Sequence, residues 1–130
     1  MGVIPDAVNG QPRATAPLEY LLNEGEPLMD RTWKENPRRG APAKTNAEEC
    51  ATLQRNAILL HKLIGAQGIT RSDFILGQDG EIYALEINSN VGLSRENDVP
   101  MAAAASGLPY QDLILAHLAT ALRKKDSSAS

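Results

Sequence analysis

The chain has 130 residues, 42% of them hydrophobic and only 4% aromatic, which suits one domain with an aliphatic core and argues against global disorder. Its net charge of −3 and short basic runs, Lys34 to Lys44 and Arg123 to Lys125, give no electrostatic footprint for nucleic acid. No apolar run approaches the ~18 residues of a membrane span, no signal-peptide pattern opens the chain, and the single Cys50 permits no internal disulfide. The expectation is a cytoplasmic protein that engages neither nucleic acid nor membrane.

Pro5, Pro12, Pro17, Pro27, Pro37 and Pro42 forbid a long helix in the first third of the chain. Asn9-Gly10 is a hairpin signal, so Val3–Val8 and Arg13–Tyr20 are expected to pair as short strands. A helix is predicted over 46–66. Asn46 followed by Glu49 has the spacing of a capping box, Leu53, Ala57, Leu60 and Ile64 give one apolar face, and Gly65 and Gly68 end it. Ile69–Leu76 and Glu81–Asn88 read as a hairpin around the turn sequence Gly77-Gln78-Asp79-Gly80. After an irregular stretch to Pro100 come two helical pieces. Met101–Ser106 is short. Tyr110–Arg123 is longer and would turn Leu113, Ile114, Leu118 and Leu122 inward. Residues 1–125 are read as one unit and 126–130 as a disordered tail.

The hairpin carries the chemistry. With a turn at 77–80, Leu76 opposes Glu81, Asp73 opposes Ala84 and Arg71 opposes Glu86. Opposed residues share a face. One face then shows Arg71, Asp73, Ile75, Ile82, Ala84, Glu86 and Asn88, and the other shows Ser72, Phe74, Leu76, Tyr83, Leu85 and Ile87. The first combines an apolar floor with charges, the pattern of a site wall. Two carboxylates and an amide oxygen (Asp73, Glu86, Asn88) are hard ligands suited to Mg2+. Arg71 fits as a cation that steadies developing negative charge. A surface salt-bridge cluster would use the same residue types.

The runs Gly68-Ile69-Thr70-Arg71-Ser72-Asp73-Phe74, Asp79-Gly80-Glu81-Ile82-Tyr83 and Glu86-Ile87-Asn88 resemble the C-terminal signature of D-alanine–D-alanine ligases. So do Gly92, Pro100, Ala105, Gly107, Tyr110 and Asp112-Leu113-Ile114, and upstream Asp30-Arg31-Thr32-Trp33-Lys34. The resemblance implies the C-terminal lobe of an ATP-grasp domain, of fold class α+β, with a mostly antiparallel small sheet and helices packed on one face. It implies ATP and Mg2+ as cofactors, with Mn2+ as a substitute. Asp73, Glu86 and Asn88 would hold the metal and Arg71 would stabilise the acyl-phosphate and tetrahedral intermediate. The Gly92 N–H would serve the oxyanion site, Lys34 the phosphates and Ile75 the adenine end. The implied activity is carboxylate–amine ligation in peptidoglycan biosynthesis, with an amino-acid-like substrate.

Departures stand beside it. The family pattern Asn-Thr-x-Pro-Gly is here Asn88-Ser89-Asn90-Val91-Gly92. Asn97 stands where the family's carboxylate-binding Ser is aligned, and Glu96 and Asp98 beside it would repel a carboxylate. An amine-bearing or differently charged acceptor is the alternative. No glycine-rich covering loop or adenine-reading hinge is found in residues 1–45. The chain is therefore expected to be inactive alone, needing an N-terminal half or self-associating through the exposed Ile75 and Ile82. A non-catalytic binding module and another ATP-grasp amide or peptide ligase are the rival readings. His61 and His117 lack ligand-spaced neighbours for zinc, Cys50 reads as a small helical residue, and Trp33 as loop packing.

Overall fold

In the computed structural model, which describes residues 1–21 and 38–129, β1 (Gly2–Pro5) pairs antiparallel with β2 (Pro12–Ala14). Val3 lies opposite Ala14 and Pro5 opposite Pro12, so the strands pair as expected but are shorter. A turn built on Asp6 takes the missing residues. Its Oδ1 accepts the N–H groups of Val8 and Asn9 at 2.8 and 3.1 Å, and its backbone N–H donates to Gln11 at 2.8 Å. The chain then leaves this sheet. β3 (Glu19–Tyr20) pairs with β4 (Arg39–Gly40), setting Tyr20 opposite Arg39.

Helix α1 (Ala47–Leu63) starts on the capping box visible in the sequence. Asn46 Oδ1 accepts the Glu49 N–H at 2.8 Å, and Glu49 Oε2 accepts the Asn46 N–H at 3.1 Å. Glu48 and Glu49 in the first turn and Lys62 in the last complement the helix dipole. Leu53, Ala57 and His61 form the buried stripe. Ile64, expected inward, is 50% exposed, because the helix stops at Leu63 and Gly65 turns the chain away with φ 69°.

Strands β5 (Thr70–Leu76) and β6 (Ile82–Asn88) complete an antiparallel sheet of order β2-β1-β5-β6. Gly2 stands opposite Arg71 and Val3 opposite Thr70, which sorts the two faces. The Thr70 face meets α1, where His61 Nδ1 lies 2.8 Å from Thr70 Oγ1. The Gly2 face meets α2 (Asp98–Ala105) and α3 (Tyr110–Ala129). Ile4, Ile69, Val99, Ala103, Leu113 and Ala116 form the buried cluster there. A Cβ on Gly2 would come within 3.1 Å of Val99 Cγ1, so glycine lets α2 approach the strand. The fold is α+β with a small antiparallel sheet, as expected. Helices cover both faces rather than one, because β1 is apolar along its whole length and is buried at all four positions.

Helix α2 begins at Asp98, earlier than the alanine run suggests, and α3 extends to Ala129, into the 126–130 stretch expected to be a disordered tail. Leu113 is inward, but Leu118 and Leu122 are 54% and 64% exposed. The inward line runs instead through Leu113, Ala116, Thr120 and Arg123. Thr120 lies against Gly68, and the Arg123 guanidinium covers Gly10 and donates to Ala7 O at 3.2 Å. In its later turns this helix thus faces the loops with the Thr120 methyl and the Arg123 guanidinium rather than with its leucines.

Candidate active site

The hairpin closes on a longer loop than its turn sequence suggests. Leu76 pairs with Ile82, and the Gly77 N–H donates to Glu81 O at 2.8 Å. Asp79 organises the loop. It accepts the Tyr83 hydroxyl at 2.6 Å and the Glu81 N–H at 3.0 Å, and these bonds hold its carboxyl below the ordinary range.

From the loop the ladder runs Leu76–Ile82, Ile75–Tyr83, Phe74–Ala84. Leu85 then has no partner, and the ladder resumes as Asp73–Glu86, Ser72–Ile87, Arg71–Asn88. The expected register is therefore one residue off at the loop and two off past the bulge. An even offset preserves the face. Arg71, Asp73, Glu86 and Asn88 still share one side of the hairpin, with Glu86 now opposite Asp73 instead of Arg71, and Arg71 opposite Asn88. Near the loop the offset is odd. Ile82 and Ala84 move to the opposite face, and Tyr83 joins Ile75. The Ile75–Ile82 pair expected to expose an apolar patch on the site face is not formed.

Arg71 Nε and Nη2 donate to the two oxygens of Asp73 at 3.1 and 3.3 Å. Its Nη1 lies 3.8 Å from Asp98 Oδ2. Asp98 in turn accepts Arg39 Nη1 at 2.7 Å through Oδ1 and the Tyr20 hydroxyl through Oδ2. Burial alone would push the Arg71 guanidinium down, but the charge and hydrogen bonds of Asp73, with the charge of Asp98, outweigh it and hold it above its ordinary range. Burial, then the bond to Asp98, pushes the Tyr20 phenol up. The sequence singles out neither Tyr20 nor Arg39, and it marks Asp98 only as a charge that would repel a carboxylate. Nothing local marks them, since they come from three separate elements.

Asp73 and Glu86 offer carboxylates across one rung, and Asn88 offers an amide oxygen two rungs on, the next that faces the same side. Each Asp73 oxygen that holds Arg71 keeps a further lone pair, and Asn88 Oδ1 accepts only the Asn90 N–H, at 2.8 Å, among the described residues. Among those residues, no three His, Cys, Asp or Glu side chains cluster for a metal ion. This donor set suits a hard cation that takes the rest of its shell from phosphate oxygens and water, as Mg2+ does, and does not suit zinc. His61 is a buried histidine hydrogen-bonded to Thr70, and Cys50 is half-buried in α1.

Ile75 lines a cavity of about 390 Å³ together with Arg71, Asp73, Tyr20 and Asp98. Gly92 is exposed in the loop after β6. A Cβ there would stand 2.3 Å from Asn97 Nδ2, which donates to Ser94 Oγ at 2.8 Å, so glycine permits that loop to close on Asn97. Lys34 and Trp33 lie outside the described residues.

The sequence profile described as D-ala D-ala ligase C-terminus matches residues 28–119. A D-alanine–D-alanine ligase of Bacillus cytotoxicus is 40% identical over 73 residues, which make up 56% of this chain and 20% of that protein. D-alanine–D-alanine ligase B of Chromobacterium violaceum is 39% identical over 79 residues, 61% of this chain and 26% of its own length. Among solved structures, the D-alanine–D-alanine ligase of Coxiella burnetii superposes with a TM-score of 0.74 at 22% identity, covering 98% of this chain and 33% of that one. The Bacillus anthracis enzyme complexed with ATP superposes with a TM-score of 0.70 at 16% identity, covering 98% and 38%. The chain thus matches about a fifth to a quarter of these curated relatives' length and about a third of the solved chains.

Proposed function

Because the chain belongs to the D-alanine–D-alanine ligase C-terminal family of ATP-grasp ligases, we propose that it supplies the metal and phosphate end of an ATP- and Mg2+-dependent carboxylate–amine ligase. The observation that carries the reading is the two-rung arrangement of Asp73 opposite Glu86 and Arg71 opposite Asn88. A merely solvated strand pair has no need to gather two carboxylates, an amide and a half-buried guanidinium on one side.

In the proposed reaction a carboxylate attacks the γ-phosphorus of ATP, ADP leaves, and an acyl-phosphate forms. An amine then adds to the acyl carbon, and the tetrahedral intermediate expels phosphate to leave an amide. Asp73, Glu86 and Asn88 would hold Mg2+, or Mn2+ in its place, and the bound cation would supply charge neutralisation along the phosphates. Arg71, already braced by Asp73, would direct a fixed positive charge at the oxygens on which charge accumulates in both steps. The Gly92 N–H would donate to the oxyanion, Lys34 would contact the phosphates, and Ile75 would meet the adenine end. The carboxylate and amine are amino-acid-like. Asn97, in place of the family's carboxylate-binding Ser, alters the acceptor end from that of a ligase that receives a second D-alanine. The covering loop and adenine hinge are not among the motifs of this chain, which covers 20% of one curated relative and 33% of one solved chain, so turnover is expected to need more of the protein than these 130 residues.

Calorimetric titration of the 130-residue chain with Mg-ATP should show weak binding that Asp73→Ala and Glu86→Ala each abolish. Variants that bind like the parent would remove the metal assignment. Robust ATP turnover by this chain alone would overturn its dependence on an N-terminal part.

A further inference from the structure

Asp98 gathers residues from three other elements onto one carboxylate. Tyr20 comes from β3, Arg39 from β4 and Arg71 from β5, while Asp98 is itself the first residue of α2. The side chains of Arg39, Asp98 and Arg71 are 13%, 19% and 25% exposed, so the charges interact in a partly desolvated pocket wall rather than in open water.

The bond to Asp73 does not by itself fix Arg71. The two residues sit two apart on one strand, so their bond ties Arg71 to no other layer of the fold. Asp98 approaches from a different layer, and its backbone is pinned by its successor. Val99 is 2% exposed in the core cluster against β1. Both Asp98 oxygens are already engaged, Oδ1 by Arg39 and Oδ2 by Tyr20. A carboxylate held on both oxygens and anchored through the core is a stationary charge. At 3.8 Å from Arg71 Nη1 it attracts the guanidinium without taking a direct hydrogen bond from it. The Nη1 protons therefore stay available to a ligand oxygen while the plane of the group is set.

Arg39 has a second consequence. Two guanidinium groups face the carboxylates of Asp73 and Asp98, so Asp98 orients Arg71 while Arg39 balances the negative charge it adds. Tyr20 and Arg39 are also direct cross-strand partners, so the same carboxylate clips the β3–β4 pair to the site face of β5.

We propose that Asp98 is a positioning residue for Arg71, setting the orientation in which that guanidinium meets the reacting oxygens, with Arg39 and Tyr20 as its supports. The inference rests on the reading of Arg71 as the group that meets the acyl-phosphate. It also accounts for an acidic residue at the acceptor end of the site, since its charge is spent internally on Arg39, Tyr20 and Arg71.

The test uses the 15N-labelled 130-residue chain and the side-chain NMR signals of its arginines, with Arg71→Lys to assign them. In the parent, the Arg71 Nη resonances should be separate, reporting slow rotation about Nε–Cζ. Asp98→Asn keeps the shape and the acceptor for Arg39 but loses the charge. It should speed Arg71 rotation several-fold, while backbone signals away from the cluster and the melting temperature stay near those of the parent. Asp98→Glu should restore slow rotation in part. A residue with a merely structural role would instead lower the melting temperature with no selective effect on Arg71. Unchanged Arg71 rotation in both Asp98→Asn and Asp98→Ala overturns the proposal, whatever nucleotide does. Failure of Mg-ATP to move the Arg71 signals of the parent chain refutes the ligase reading instead, and that result is separable because the Asp98 dependence is measured without nucleotide.

Discussion

Acidification should weaken this fold through one buried imidazole. His61 projects from α1 onto β5, is 4% exposed, and lies 2.8 Å from the hydroxyl of Thr70, which is itself fully buried. Burial, helped by the neighbouring Lys62 charge, pushes the His61 imidazole below its ordinary value. In the unfolded chain the ring titrates near its usual ~6.5. Between that value and the lower folded one, the unfolded state therefore binds more protons than the folded state. Stability is fully present above pH ~6.5 and is lost as pH falls toward the folded value. It levels off below that point, where both states are protonated. One proton limits the slope to about 1.4 kcal/mol per pH unit, a large share of the ~5–15 kcal/mol that stabilises a typical domain. Urea unfolding at fixed ionic strength from pH 8 to 5 gives the assay, with His61→Gln as the reference. Glutamine offers Thr70 a hydrogen-bond partner and does not titrate. Carboxylate effects are common to both proteins, so the difference between the two curves should be flat above pH 7 and should fall toward acid. Parallel curves, or a parent that gains stability relative to His61→Gln on acidification, would refute the reasoning.

Leu113→Ala removes a side chain with no exposed surface from the cluster between β1, α2 and α3. It should cost about 3 kcal/mol and lower the melting midpoint by roughly 10 °C, read by circular dichroism. Asn46→Ala removes the arm of the capping box that accepts the Glu49 N–H and should cost about 1 kcal/mol. A cycle with Glu49→Ala should show coupling between the two sites, because each side chain bonds the other's backbone N–H.

The site residues were legible in the sequence to the extent that they depend on strand periodicity. Arg71 and Asp73, and likewise Glu86 and Asn88, are two apart on their strands, so each pair shares a side whatever the turn does. Which residue faces which was not legible. That depends on the Gly77–Glu81 bond closing a longer loop and on Leu85 dropping out of the ladder. The two irregularities together shift the register by an even number, which is why the four candidate residues share one side in spite of the different pairing. Ile82 lies between the irregularities and changed sides.

Local chemistry carried the rest of what was readable. A capping box is complete within four residues, and glycine at the end of α1 answers a local need for positive φ. The rotation of α3 was not readable from its leucines, because Thr120 and Arg123 turn inward to loops that lie far away in sequence. The same limit hid Tyr20 and Arg39. The sequence by itself determined the family, the cap and the four residues of the hairpin face, all of which rest on spacings within a strand, a turn or a short motif. Only the tertiary structure decided the register and the meeting of Tyr20, Arg39, Arg71 and Asp98. Hydrogen bonds and charges between elements set those, and no periodicity along a single element encodes them.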